Sequence, residues 1–160
     1  MTHNQSLSAW SLRAAAGLLG LLMLASSHAS DESTAGAAPG EAKAPRIWMT
    51  VGERRFALTL ADTDAARAFA ARLPLALAMT DLNANEKKFD LPDALPSSPS
   101  RPGTIRNGDL MLYGANTVVL FYLTFDSPYA YTRLGRVDDP SGLAHVLGKG
   151  SVQVGFSAGH

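Results

Sequence analysis

No cysteine occurs among the 160 residues. Disulfides, thiolate nucleophiles and cysteine-ligated zinc are excluded together. Neither charge is in excess, because 14 Lys and Arg balance 14 Asp and Glu. No basic surplus therefore marks a nucleic-acid partner. Histidine is scarce, and His145 and His160 are the only two beyond residue 30. They show no ligand spacing with Asp or Glu, so neither a metal nor a cofactor is expected. Ser127, Ser141 and Ser151 lack the strand-turn-helix setting of a nucleophile elbow, and no phosphate-cradling glycine loop is present. No uncharged run reaches the roughly 20 apolar residues that span a bilayer.

The first residues do carry a short apolar run. Arg13 is the one charged residue of the opening thirteen, and Ala14–Ala25 follows without charge. Ser27 and Ala29 then flank His28. This is the order of a secretory signal with a small-residue cleavage site, placed at residues 1–29. The expected mature protein is periplasmic or secreted, with no membrane partner once the signal is cut. Cleavage after Ala29 leaves 13 basic and 14 acidic residues, a net charge of −1. Residues 30–45 are small, polar and Gly/Pro-bearing, which predicts a disordered linker. The folded domain is placed at 46–160.

Within that domain, Ile47, Met49 and Val51 alternate, then Phe56, Leu58 and Leu60. With Gly52-Glu53 between them they predict a hairpin. Residues 62–73 predict a helix capped by Asp62 or Thr63, with Ala66, Phe69, Ala70 and Leu73 as its apolar stripe. Leu75 to Asn83 reads as a strand. The segment from Asn85 to about Gly108 reads as one long, proline-rich connection pinned by Phe89, Leu91 and Leu95. Two strands follow, Asp109–Tyr113 and Thr117–Phe125, turning at Gly114-Ala115-Asn116. The second is apolar on both sides: Thr117, Val119, Phe121, Leu123 and Phe125 share one face, and Val118, Leu120, Tyr122 and Thr124 the other. A strand needing cover on both faces fits a closed barrel, one face inward and the other under a helix or left as a groove. Residues 128–137 read as the next strand. Residues 138–148 read as a short helix capped by Asp139 and stopped at Gly148, with His145 facing solvent, and Ser151–Phe156 as the last strand.

The blocks NEKKFDLPDALP, PGTIRNGDLMLYGANTVVLFYLTF, YAYTRLGRV and LGKGSVQVGF resemble the bacterial cyclophilin-like domain family, over about residues 46–160. The resemblance implies a mainly β fold, a closed eight-stranded cyclophilin-like β-barrel with two capping α-helices. Cyclophilin isomerases carry an FHRVI-type strand and a QGGD-type segment, and neither is present here. TIRNGD offers only Arg106, Gly108 and Asp109 as a fragment of that pattern.

Two functions, with a purely structural partner domain as a third reading, are consistent with this pattern. One is an exported binding module for a peptide or small molecule, without catalysis. The other is a divergent peptidyl-prolyl isomerase in which Arg106 or Arg133 is the carbonyl donor. Tyr113, Phe121, Tyr122, Phe125, Tyr129 and Tyr131 fall within nineteen residues. Aromatics on strands are most often packing, but tyrosine hydroxyls need water or a partner. Tyr113, Tyr122, Tyr129 and Tyr131, with Arg133, are therefore the candidate ligand-binding residues. Arg133 is alternatively a solvated arginine or one paired with Asp109 or Asp126. The cluster Asn83, Asn85, Glu86, Lys87 and Lys88 reads as a solvated loop rather than a site lining.

Overall fold

The alternation of Ile47, Met49 and Val51 buries those three residues on one side of β1 (Arg46–Val51). Phe56, Leu58 and Leu60 do the same for β2 (Arg54–Leu60). The hairpin turns at Gly52-Glu53 with Gly52 at φ +56°, the left-handed region that glycine enters without a Cβ penalty. The structure, a computed structural model, describes residues 45–159. The signal expected at 1–29 and all but the last residue of the 30–45 linker lie outside the described residues.

Thr63 caps α1 (Asp64–Ala70), its Oγ1 accepting from the Ala66 amide at 3.0 Å. The helix buries Ala65, Ala66 and Phe69, and Phe69 meets Phe156 edge-on at 5.3 Å. Then follow β3 (Leu75–Leu82), β4 (Glu86–Asp90), β5 (Gly103–Ile105), β6 (Asp109–Tyr113), β7 (Thr117–Phe121), β8 (Phe125–Ser127), β9 (Thr132–Val137), α2 (Leu143–Leu147) and β10 (Val152–Ala158).

Eight strands close an antiparallel barrel in the order β1-β10-β3-β4-β7-β6-β9-β2, while β5 and β8 pair separately. The mainly β closed barrel with two helices stands as expected. α1 joins the end of β2 to the start of β3, and α2 joins the end of β9 to the start of β10. The registers place those connections at opposite ends of the barrel. Both helices insert apolar residues into one interior cluster with Met49, Leu58, Met79, Leu120 and Phe156. At Gly135, a Cβ would fall 2.6 Å from the Thr59 carbonyl oxygen and 2.8 Å from Leu58 Cδ2. Only glycine fits that approach, beside the irregularity between Leu110 and Met111 in the β6–β9 ladder.

The two-faced strand resolves in an unexpected way. Val118 and Leu120 point into the barrel, but Phe121 packs outside it with Ile105, Met111, Val119 and Tyr131. Cover on the outer face comes from the small β5–β8 sheet, not from a helix, and half-buried Phe125 joins this second cluster. Accordingly β7 stops at Phe121 rather than running to Phe125. The chain leaves the ladder at Tyr122–Thr124 and re-pairs as β8 with β5. Likewise Pro128–Tyr131 precede β9, and Tyr131 makes one bridge with Ser100.

Two further expectations need correction. Residues 86–90, read as loop, are strand β4, whose inward-facing Lys87 disguises the alternation. Asp139 does not cap α2: Gly142 occupies that position, and Asp139 instead accepts from the Ser141 amide at 3.0 Å in the preceding turn. Gly148 does end the helix. The long connection is pinned by buried Leu91 and Leu95, with Phe89 half-buried. The Arg72 guanidinium clamps it further by donating to the carbonyls of Asp93 and Ala94, each at 2.9 Å.

Candidate functional site: a tyrosine-lined cleft on the barrel wall

Opposed residues of an antiparallel pair share a face. On the outer wall Glu86 lies opposite Phe121, Lys88 opposite Val119, and Asp90 opposite Thr117. Val119 is in turn opposite Met111, and Thr117 opposite Tyr113. The second apolar cluster covers one part of this wall. Beside it a cleft of about 440 Å³ stays open. Val119 and Thr117 line its base, Glu86, Lys88 and Asp90 come from β4, Leu82 and Asn83 from the β3–β4 turn, and Tyr113, Tyr129 and Tyr131 complete it.

The rings brace one another. Tyr113 meets Tyr129 at 6.3 Å and 87°, and Tyr131 at 5.7 Å and 54°. Tyr131 stands edge-on to Phe121 at 5.5 Å, which ties the cleft wall to the second cluster. Tyr113 and Tyr129 remain about half exposed, at 49% and 58%, whereas Tyr131 is buried. Burial pushes the Tyr131 hydroxyl above its ordinary pKa of 10.0.

The charges differ in how they are held. Asp90 accepts from Thr117 Oγ1 at 2.7 Å and from Lys88 Nζ at 3.1 Å, and these bonds lower its pKa. Glu86 has no hydrogen-bond or ion-pair partner among the described residues. It is only 8% exposed. Its carboxyl is shifted upward, first by burial and then by the charge of Asp81. The turn beside it holds Asn83 and Ala84 both at φ +56°, and Asp81 Oδ1 accepts the Ala84 amide at 3.2 Å.

Behind this wall, inside the barrel, Lys87 is completely enclosed and bonds Asp81 at 2.6 Å. Tyr122 also donates to Asp81 at 2.8 Å, and its own hydroxyl is pushed up to about 12 by burial and that bond.

Of the residues singled out in the sequence, Tyr113, Tyr129 and Tyr131 therefore come together in one cleft. Tyr122 does not, because it belongs to the interior cluster. Arg106 is exposed on the β5–β6 connection, where its backbone amide donates to Asp109 at 2.8 Å. Arg133 is exposed on β9 opposite Met111. Neither arginine lines the cleft. Asp109 is paired with Arg136 at 3.3 Å, not with Arg133. The loop reading holds for residues 83–85, the β3–β4 turn, and is corrected for 86–88: Glu86 and Lys88 line the cleft together with Asn83, and Lys87 is enclosed in the barrel. The i, i+2, i+4 spacing of Glu86, Lys88 and Asp90 was the signal that pointed to one face of a strand.

A second hollow of about 270 Å³ lies beside α1, lined by residues that include Asp62, Asp64, Arg67 and Thr132. Its charges satisfy one another, since Arg67 reaches Asp62 at 2.6 Å and Asp64 at 2.7 Å. Among the described residues no group of three or more His, Cys, Asp or Glu could hold a metal ion.

A closed barrel with an aromatic cleft on its outer wall is the class that fold and site define. The cyclophilin-like family matches residues 49–157, and the chain belongs to that family. Among solved structures it is similar to a hypothetical protein from Archaeoglobus fulgidus. The TM-score is 0.51 at 16% identity, covering 76% of this chain and 100% of that one, a likeness of fold. No curated protein matches the chain.

Proposed function

We propose that the protein is an exported binding module that holds a peptide segment or small molecule in the cleft on its barrel wall. One observation carries this reading. A single cleft of ligand-sized volume joins three tyrosines and an apolar floor to charged side chains. Tyr113 and Tyr129 keep large ring area exposed there at little entropic cost, as recognition surfaces do. The apolar run at Ala14–Ala25 supports export. The isomerase reading needs an arginine beside an apolar pocket, and the one cation in this lining is Lys88, already paired with Asp90.

Titration of ¹⁵N-labelled mature protein with a panel of prolyl tetrapeptides and small aromatic fragments tests the proposal. Binders should shift the amides of Glu86, Lys88, Val119, Tyr113 and Tyr129, and Tyr129→Ala should weaken them several-fold. Shifts confined to other surfaces, or none from any panel member, refute it.

A further inference from the structure

We propose that the ligand of this cleft carries a cation, an ammonium or alkylammonium group seated between the Glu86 carboxylate and the tyrosine rings. The inference rests on the binding reading above and names its ligand class. Glu86 is more than nine-tenths buried, lines the cleft, and has no partner among the described residues. The side chain is buried while its carboxylate oxygens keep some contact with water, and a carboxylate so sparsely hydrated is costly to leave without a partner. Here the open side of the carboxylate is the cleft itself, so the missing partner is one that arrives from solution.

The remaining lining agrees. Tyr113 meets Tyr129 at 87° and Tyr131 at 54°, so the rings are not stacked flat, and π faces as well as edges border the volume. Ring faces attract cations, an effect that grows with desolvation. Lys88 does not compete, because its ammonium is held 3.1 Å from Asp90. With that pair neutral, Glu86 leaves the lining with a charge of −1 among its residues. An anionic ligand would face this charge without an arginine to answer it, and a neutral one would leave Glu86 unpaired.

Choline and its uncharged isostere 3,3-dimethylbutan-1-ol separate charge from shape, with n-butylammonium as a primary amine and 3,3-dimethylbutyrate as the anion. Each is titrated into ¹⁵N-labelled protein while the cleft amides are followed. Choline or n-butylammonium should bind at least about tenfold more tightly than the alcohol, and the anion weakest of all. Glu86→Gln should reduce cation affinity about tenfold while leaving the affinity for the alcohol unchanged, which a mere structural role of Glu86 would not produce. Equal affinity for choline and the alcohol, tighter binding of the anion, or unchanged cation affinity in Glu86→Gln would overturn the cation while leaving a working cleft. Absence of cleft shifts with all four probes would overturn both readings.

Discussion

Lys87 Nζ sits 2.6 Å from Asp81 Oδ2 with its side chain wholly enclosed, and donates also to the carbonyls of Gly148 at 2.8 Å and Gly150 at 2.7 Å. One ammonium thus ties β3 and β4 to the loop between α2 and β10. Lys87→Met keeps the volume but removes all three bonds. Breaking a buried pair from one side costs about 3–5 kcal/mol, and the low end applies because Asp81 keeps 22% of its side-chain surface in water. A urea denaturation midpoint unchanged from the parent would contradict this arrangement.

Glu86 makes the pH dependence of stability informative. Its carboxyl is shifted upward in the folded state, so folding favours the protonated form. The stability this gives is complete below the ordinary carboxyl value of 4.5 and is lost as pH rises through the folded pKa. Glu86→Gln should therefore raise the melting temperature at pH 7, with the gain vanishing in acid below that value. Asp90 runs the opposite way. Its lowered pKa gives stability above the ordinary 3.8, lost as pH falls through the folded value. Melting curves of the parent and of Glu86→Gln across acid and neutral pH separate the two.

Ala84 adopts φ +56° directly after Asn83 at the same value. A turn with both central residues left-handed favours Asn-Gly, because alanine pays a steric cost at the second position. Ala84→Gly should raise stability by about 0.5–1 kcal/mol, the steric relief being partly offset by the unfolded-state entropy of glycine. Differential scanning calorimetry measures it, and a lower melting temperature would contradict the turn geometry.

Phe121 is fully buried, yet it lies outside the barrel with Tyr131 and Phe125 at 5.5 Å and 5.7 Å. Phe121→Ala should cost about 3–5 kcal/mol, the usual range for a buried phenylalanine. Because the ring braces Tyr131, the same change should also disturb the cleft. Chemical-shift changes confined to interior residues such as Leu120 and Met79 would place Phe121 wrongly.

Catalysis of prolyl isomerisation should be absent. The amide barrier is about 18–20 kcal/mol, and lowering it needs a donor that favours the twisted amide. Arg106 and Arg133 stand outside the cleft lining. In a protease-coupled assay the protein should leave a prolyl peptide at its uncatalysed rate. A typical enzymatic rate abolished by Arg106→Ala or Arg133→Ala would establish the isomerase instead.

Sequence patterns made the β1–β2 hairpin, α1 and the two-faced β7 legible because each places apolar residues at a regular period. They concealed β4 because one of its two inward residues, beside Phe89, is Lys87, whose charge is answered by Asp81 and by carbonyls more than sixty residues away. Once β4 reads as loop, Glu86, Lys88 and Asp90 lose their common face, and the charged side of the cleft goes with them. The tyrosines were visible as a group, and strand alternation already put Tyr122 on the face of Val118 and Leu120, but which face points inward to Asp81 and which joins Tyr113, Tyr129 and Tyr131 depends on the barrel closing. Such long-range pairing leaves no local period to read.

The central claim is that ligand recognition belongs to the cleft bordered by Glu86, Tyr113 and Tyr129. Crystals of the mature protein soaked with choline and a small-fragment panel test it most directly. The account predicts bound density against the Tyr113 and Tyr129 rings, with a cationic group within about 4 Å of the Glu86 carboxylate. Density found reproducibly in the α1 hollow or on the β1–β2 face, with this cleft empty, would contradict it.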